Sequence, residues 1–217
     1  MDYQVVYIVC SILAFIPAIV CHEFMHGFAA YKLGDNTAKQ SGRLKHIDPF
    51  GTIILPLLLA FMHAPVFGYA KPVPYNPNNF KDKRVGDVVV GLAGPAANLM
   101  LALIGSALMF ALHAQALTTH QEFFFYFYWW FLPIFIMVNL YLMFFNLLPI
   151  PPLDGYHLFN DLLFRGRFRL NPQVFQIAQV VLLLACFSGL LSNVINVVFN
   201  AVEGGVLNLF LLIAGQA

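Results

Sequence analysis

Three long stretches of the chain carry no charged residue: positions 3–21, 88–112 and 123–148. Each approaches or exceeds the roughly 20 apolar residues that a helix needs to cross a bilayer. The first runs on through polar residues into Phe28, Ala29 and Ala30 and has no small-residue cleavage site, so it reads as a retained helix and not as a signal peptide. The third opens with nine consecutive aromatic residues from Phe123 to Phe131, a composition suited to the membrane interface. Residues 170–202 are again uncharged, and 206–214 form a further apolar piece. These last stretches fit either one span with a re-entrant piece or two short helices broken near Ser188-Gly189 or Glu203-Gly204-Gly205.

Residues 52–63 are apolar but too short to span, which predicts a re-entrant or interfacial segment. The loops on either side, 31–50 and 65–86, then share one membrane face. They hold Lys32, Lys39, Arg43, Lys45, Lys71, Lys81, Lys83 and Arg84, while Arg165, Arg167 and Arg169 follow the third span. All eleven basic residues fall on that side, and the positive-inside rule makes it cytoplasmic. The first helix runs inward, 88–112 outward and 123–148 inward. A full crossing by 52–63 would divide the basic residues between the two faces and is disfavoured.

The expected architecture is an all-α polytopic membrane protein, with roughly four to six transmembrane helices, a re-entrant segment and a short extended element. A single domain covers residues 1–217 in the cell membrane. The extended element is Lys71-Pro72-Val73-Pro74-Tyr75-Asn76-Pro77, where three prolines forbid a helix. It is either a stiff loop or an edge against which a substrate strand can pair.

Composition sharpens the class. Hydrophobic residues make up 60% of the chain and charged residues 10%, less than half the share of an ordinary soluble domain, which excludes a water-soluble globule. The net charge of +1 leaves no basic face for nucleic acid. Cys10, Cys21 and Cys186 all lie in apolar stretches without CxxC spacing, so they read as small interior residues.

The chemistry is concentrated at the inner end of the first helix, in His22-Glu23-Phe24-Met25-His26. Residues four apart share a helical face, so both imidazoles converge on one cation while Glu23 can reach water bound there. With seven histidines and three glutamates in the chain, chance would supply such a match about 0.003 times. Ionisable side chains in a span are costly and functional by default. Pro17, five residues upstream, should bend the helix by freeing the Leu13 carbonyl. Two imidazoles leave a catalytic zinc site one protein ligand short. Asp154 is the outstanding candidate, in Asn146-Leu147-Leu148-Pro149-Ile150-Pro151-Pro152-Leu153-Asp154-Gly155. The prolines unwind the helix end and Gly155 permits a tight turn, aiming the carboxylate back at the bundle.

These residues resemble a known family. His22 to His26, then Gly94-Pro95-Ala96-Ala97-Asn98, then Asn146 to Gly155 are similar, in order, to the three motifs of the site-2 protease family of intramembrane zinc metalloproteases. The resemblance spans roughly residues 1–200 and implies a minimal catalytic core without the PDZ or nucleotide-sensing CBS module of some relatives. It implies one Zn2+ per chain held by His22, His26 and Asp154, with Glu23 as general base. Asn146 would hold the substrate or stabilise the oxyanion, and Asn98 with Gly94 and Pro95 would pack helices closely around the site. The segment 41–49 is shorter than in many relatives. His157 reads as a solvated helix-start residue, and His46, His63, His113 and His120 have no ligand spacing. The implied activity is hydrolysis of peptide bonds in or near transmembrane segments of membrane-protein substrates, in regulated intramembrane proteolysis near the cytoplasmic face. Its partners are the substrate and the lipid bilayer. Two other readings compete: a metal-binding membrane transporter or scaffold without proteolysis, and a membrane HExxH protease whose site faces bulk water.

Overall fold

A computed structural model describes residues 3–37, 75–166 and 171–189. The re-entrant segment expected at 52–63, most of the basic loop residues, and Val73 and Pro74 lie outside them. The chain groups into two compact units, Met1–Asn171 and Pro172–Ala217.

All regular structure among the described residues is helical. In the first unit, α1 is Tyr3–Lys32, α2 is Lys83–Thr118, α3 is Glu122–Asn146 and α4 is Asp154–Phe164. A single 3-10 turn occupies Pro77–Asn79. Helices α1, α2 and α3 are long and apolar enough to cross a membrane. In the second unit, α5 covers Pro172–Phe187 and Gly189 follows with φ +74°, so a helix does end at Ser188-Gly189.

The register of the three long helices can be read from their contacts. His22 of α1 bonds Asn98 of α2, whereas His26, one turn further along α1, bonds Val90, earlier in α2. The two therefore run antiparallel. Asn98 meets Asn139 of α3 and His113 meets Tyr128, so α2 and α3 are antiparallel as well. The packed seams are built from small residues: Ala14, Ala18 and Ala30 of α1 are fully buried, and Gly91, Gly94, Ala97, Ala102 and Gly105 of α2 are buried. In a bilayer, where apolar side chains gain little by leaving lipid, small residues let helices approach for dispersion contact. The outward faces carry Leu103, Ile104 and Phe110, a surface suited to hydrocarbon.

The aromatic block of α3 does more than mark an interface. Phe123, Phe127, Phe131 and Phe135 stack in succession with ring centroids 5.6–6.4 Å apart. Residues 127–131 form a π-helical turn. Tyr128 points inward, almost fully buried, with its hydroxyl 2.8 Å from His113 Nδ1.

The helix ends have local causes. Asp82 caps α2, its carboxylate accepting from the N–H groups of Arg84 and Val85, which starts the helix five residues before the apolar stretch. At the end of α1, Gly34 takes φ +103°, its N–H donates to Tyr31 O, and Asp35 N–H donates to Ala30 O. This is a Schellman ending, for which glycine is favoured because L residues resist positive φ. It delivers the Asp35 carboxylate to a fully buried position. There Oδ1 accepts from Thr37 N, Thr37 Oγ1 and Asn79 Nδ2 at 3.1, 2.6 and 2.7 Å, and Oδ2 accepts from Asn76 N at 2.7 Å. The carboxylate thus clamps the 75–80 segment to the end of α1. Burial alone would raise its pKa, but the donors on Thr37, Asn76 and Asn79 hold it below the usual range.

A group whose folded pKa is depressed stabilises the fold above its unfolded value, about 4, and loses that effect as pH falls through the folded value. Asp35→Ala should therefore cost about 3 kcal/mol at neutral pH, from donors left without a buried acceptor. The difference from wild type should shrink below about pH 4. Thermal denaturation of both proteins in the same detergent checks this; equal melting at pH 7 would show that the clamp adds nothing.

Candidate metal centre

His22 and His26 are successive-turn residues on the inner face of α1, and both are buried. Asp154 is brought to them from α4. His22 Nε2 and His26 Nε2 lie 3.1 Å apart, and Asp154 Oδ2 lies 3.1 Å from the first and 3.2 Å from the second. Asp154 Oδ2 is buried and has no hydrogen-bond partner. The structure thus gathers the three residues expected as ligands, and they form the one such cluster among the described residues.

The outer nitrogens decide what the inner ones present. His26 Nδ1 lies 2.6 Å from the carbonyl oxygen of Val90, which can only accept, so this nitrogen carries the proton. His22 Nδ1 lies 2.6 Å from Asn98 Oδ1, again an acceptor. In neutral imidazoles both Nε2 atoms are then left with lone pairs. Two lone pairs and a carboxylate oxygen within 3.2 Å of one another repel unless a proton or a metal cation lies among them. A tetrahedral zinc with donors at about 2.0–2.1 Å would separate those atoms by about 3.3–3.4 Å, close to the observed spacing. The donor set of two imidazoles and a carboxylate suits zinc, and three ligands leave a position for water.

Two glycines make room for this cluster. A Cβ at Gly94 would overlap His26 Nε2 and stand 2.6 Å from His22 Nε2. A Cβ at Gly155 would overlap the main chain of Leu147 and Leu148. This corrects the expectation for Gly155: it is the second residue of α4, not a turn residue, and is required for close approach to the end of α3. Asp154 accordingly sits in the first turn of a helix, where a carboxylate is favoured by the macrodipole.

Residues 10–129 and 114–189 match the sequence description of peptidase family M50. The chain belongs to peptidase family M50. It is 39% identical over 204 residues to a protein of Bacillus subtilis (strain 168) named "Putative zinc metalloprotease YwhC", covering 92% of this chain and 90% of that one. A second relative, "Putative zinc metalloprotease Rip2" of Mycolicibacterium smegmatis (strain ATCC 700084 / mc(2)155), is 32% identical over 151 residues, 67% of this chain and 54% of that one. No solved structure matches significantly.

The other predicted residues of this M50 family member are placed as follows. Glu23 follows His22 on α1, half-buried, close enough to His26 for its charge to act there. Asn98 is fully buried and bonds His22, so the middle motif supplies a second-layer partner as well as close packing. Asn146 ends α3 with its Nδ2 donating to Leu142 O at 2.9 Å, which holds that donor within its own helix. His157 is exposed. Pro17 lies inside α1, and the helix is continuous through it.

Sequence reasoning missed Asp35, Val90 and Asp87, and took Tyr75 only as part of the extended segment. Tyr75 stacks on Phe80 with centroids 5.9 Å apart, and its hydroxyl donates to the Asp87 carboxylate. Burial, then the charges of Asp87, Asp161 and Asp154, push the Tyr75 phenol up. Phe80, Ala30 and Val90 form one buried group, and Val90 is the residue whose carbonyl receives His26. The roles of these residues have no sequence signal, because each acts through a contact distant along the chain.

Asp154→Asn replaces a buried anionic oxygen with a neutral amide and should lose stoichiometric zinc. Elemental analysis of the purified variant beside wild type measures this, and full metal content in the variant would remove Asp154 from the ligand set.

Proposed function

We propose that this M50 family member is a zinc-dependent intramembrane endopeptidase that cleaves transmembrane segments of membrane-protein substrates near the cytoplasmic face. The reading rests chiefly on one observation: three electron-rich atoms meet within 3.2 Å inside a helical bundle, with a glutamate on the helix that carries the two histidines. His22, His26 and Asp154 would hold the ion. Zinc, when bound, supplies the Lewis acidity that activates water and polarises a peptide carbonyl.

The remaining roles fall to the chain. Glu23 accepts a proton from the attacking water and delivers it to the departing amine, as a general base that then serves as a general acid. Its position one residue after His22 lets it serve a water at the open position. Asn98 and Val90 hold the two imidazoles with their lone pairs inward. Asn146, at the end of α3, is the polar group from which a donor to the developing oxyanion would come once released from Leu142 O.

A helical substrate hides its carbonyls in its own hydrogen bonds, so cleavage requires local unwinding, and freed groups need partners in lipid. Asn76, extended at φ −115° and ψ 105°, belongs to the segment proposed to receive them. Its own N–H is already given to Asp35. The placement of basic residues supports a multi-pass protein of the cell membrane with its site toward the cytoplasm.

Glu23→Gln should keep zinc and abolish cleavage of a membrane-embedded reporter, with a loss of at least about a hundredfold. The assay is proteolysis by purified protein with the cut mapped by mass spectrometry. Undiminished cleavage would remove Glu23 as the base. Zinc bound by wild type without proteolysis of any single-span substrate would favour a non-proteolytic metal protein.

A further inference from the structure

Asn139 lies in the middle of α3, fully buried, where an amide is costly unless each of its polar groups finds a partner. Its Nδ2 donates to Phe135 O, one turn back, at 2.8 Å. That carbonyl can only accept, so it fixes which way the amide points and turns Oδ1 toward α2. There Oδ1 accepts from Asn98 Nδ2 at 3.0 Å. The same Asn98 Nδ2 also donates to Ala18 O of α1 at 3.2 Å. With both hydrogens of Asn98 committed, its Oδ1 is the atom left for His22 Nδ1 at 2.6 Å.

We propose that Asn139 is a positioning residue of the metal centre: through Asn98 it fixes the His22 tautomer, so that Nδ1 carries the proton and Nε2 faces Asp154 and His26 with a free lone pair. An amide can rotate by half a turn and exchange its oxygen and nitrogen. For Asn98 that rotation would set its oxygen against two acceptors at once, Ala18 O and Asn139 Oδ1. It would also offer an N–H to His22 Nδ1, forcing the proton onto Nε2 and closing that nitrogen to a metal. Asn139 supplies one of the two oppositions that forbid the rotation. His26 needs no such device, since its Nδ1 meets a main-chain carbonyl directly. The hydrogen-bond chain thus begins at one carbonyl, Phe135 O, crosses from α3 through α2 to α1, and ends at the ligand atom.

The inference rests on the metal-centre reading above, and one set of measurements separates the two. Asn139→Leu keeps the volume and removes both polar groups. Asn139→Asp keeps the polarity, because a buried neutral carboxyl group can donate to Phe135 O and accept from Asn98. Zinc affinity of the full chain in detergent, measured by competition with a fluorescent chelator, should fall about 10–100-fold in Asn139→Leu and stay near wild type in Asn139→Asp. Nitrogen-15 spectra of histidine-labelled, zinc-free protein should show His22 protonated at Nδ1 in wild type and Asn139→Asp, with the Nε2-protonated form growing in Asn139→Leu. A merely structural role would lower the melting temperature without moving the tautomer. The proposal is overturned by wild-type zinc affinity in Asn139→Leu, or by His22 protonated at Nε2 in wild type. If Asn139→Leu does not fold, a folded Asn139→Asp that has lost zinc affinity overturns it. Absence of zinc binding by wild type would instead overturn the metal-centre reading.

Discussion

An imidazole that is to hold a cation must leave one nitrogen unprotonated, and in a helical bundle suited to lipid its other nitrogen cannot rely on water. The second nitrogen therefore needs an acceptor built into the protein, and that acceptor must not offer a proton of its own. Val90 O meets this condition for His26, and Asn98 Oδ1 meets it for His22. Both acceptors belong to α2, eight residues apart, so the register of α1 against α2 is tied to the protonation pattern at the metal-facing atoms. The packing of the bundle and the chemistry of the site express one constraint.

Close approach is the second condition. Gly94 lies against both imidazoles, Gly155 against the main chain that ends α3, and Gly86 against the Phe80 ring. At each place a single added carbon would occupy space already filled by a neighbour. Interhelical packing in a membrane depends on dispersion contact and hydrogen bonding more than on water exclusion, so such positions set the geometry directly. The polar groups that cross the seams, Asn98 and Asn139, are both satisfied, which is what makes buried amides tolerable at that depth.

The helix end extends the same network outward. The Schellman ending of α1 turns Asp35 inward, Asp35 binds the segment that carries Phe80, and Phe80 packs with Ala30 on Val90. The carbonyl of Val90 then receives His26. A local ending, dictated by one glycine with positive φ, is thereby connected through tertiary contacts to the orientation of His26, eight residues before Gly34 in sequence.

Much of this protein was legible from residue order. Apolar runs specify spans because their length is measured against the bilayer; α1 and α2 run past the predicted stretches, α2 starting at its Asp82 cap, while α3 ends at Asn146, two residues short of its stretch. His22, Glu23 and His26 were legible because helical periodicity places positions four apart on one face. Asp154 stood out because a carboxylate among prolines and apolar residues is rare. What only tertiary structure decided are the partners at long sequence separation: Asn98 and Val90 behind the imidazoles, Asn139 behind Asn98, and Asp35 across to Asn76 and Asn79. It also reassigned Gly155 from turn to contact and turned Tyr128 inward from a block that composition alone placed at an interface. The physical reason is common to all of them. Sequence encodes which groups are able to donate, accept or make room, whereas which donor meets which acceptor is settled only when helices pack and every buried polar group must find a partner.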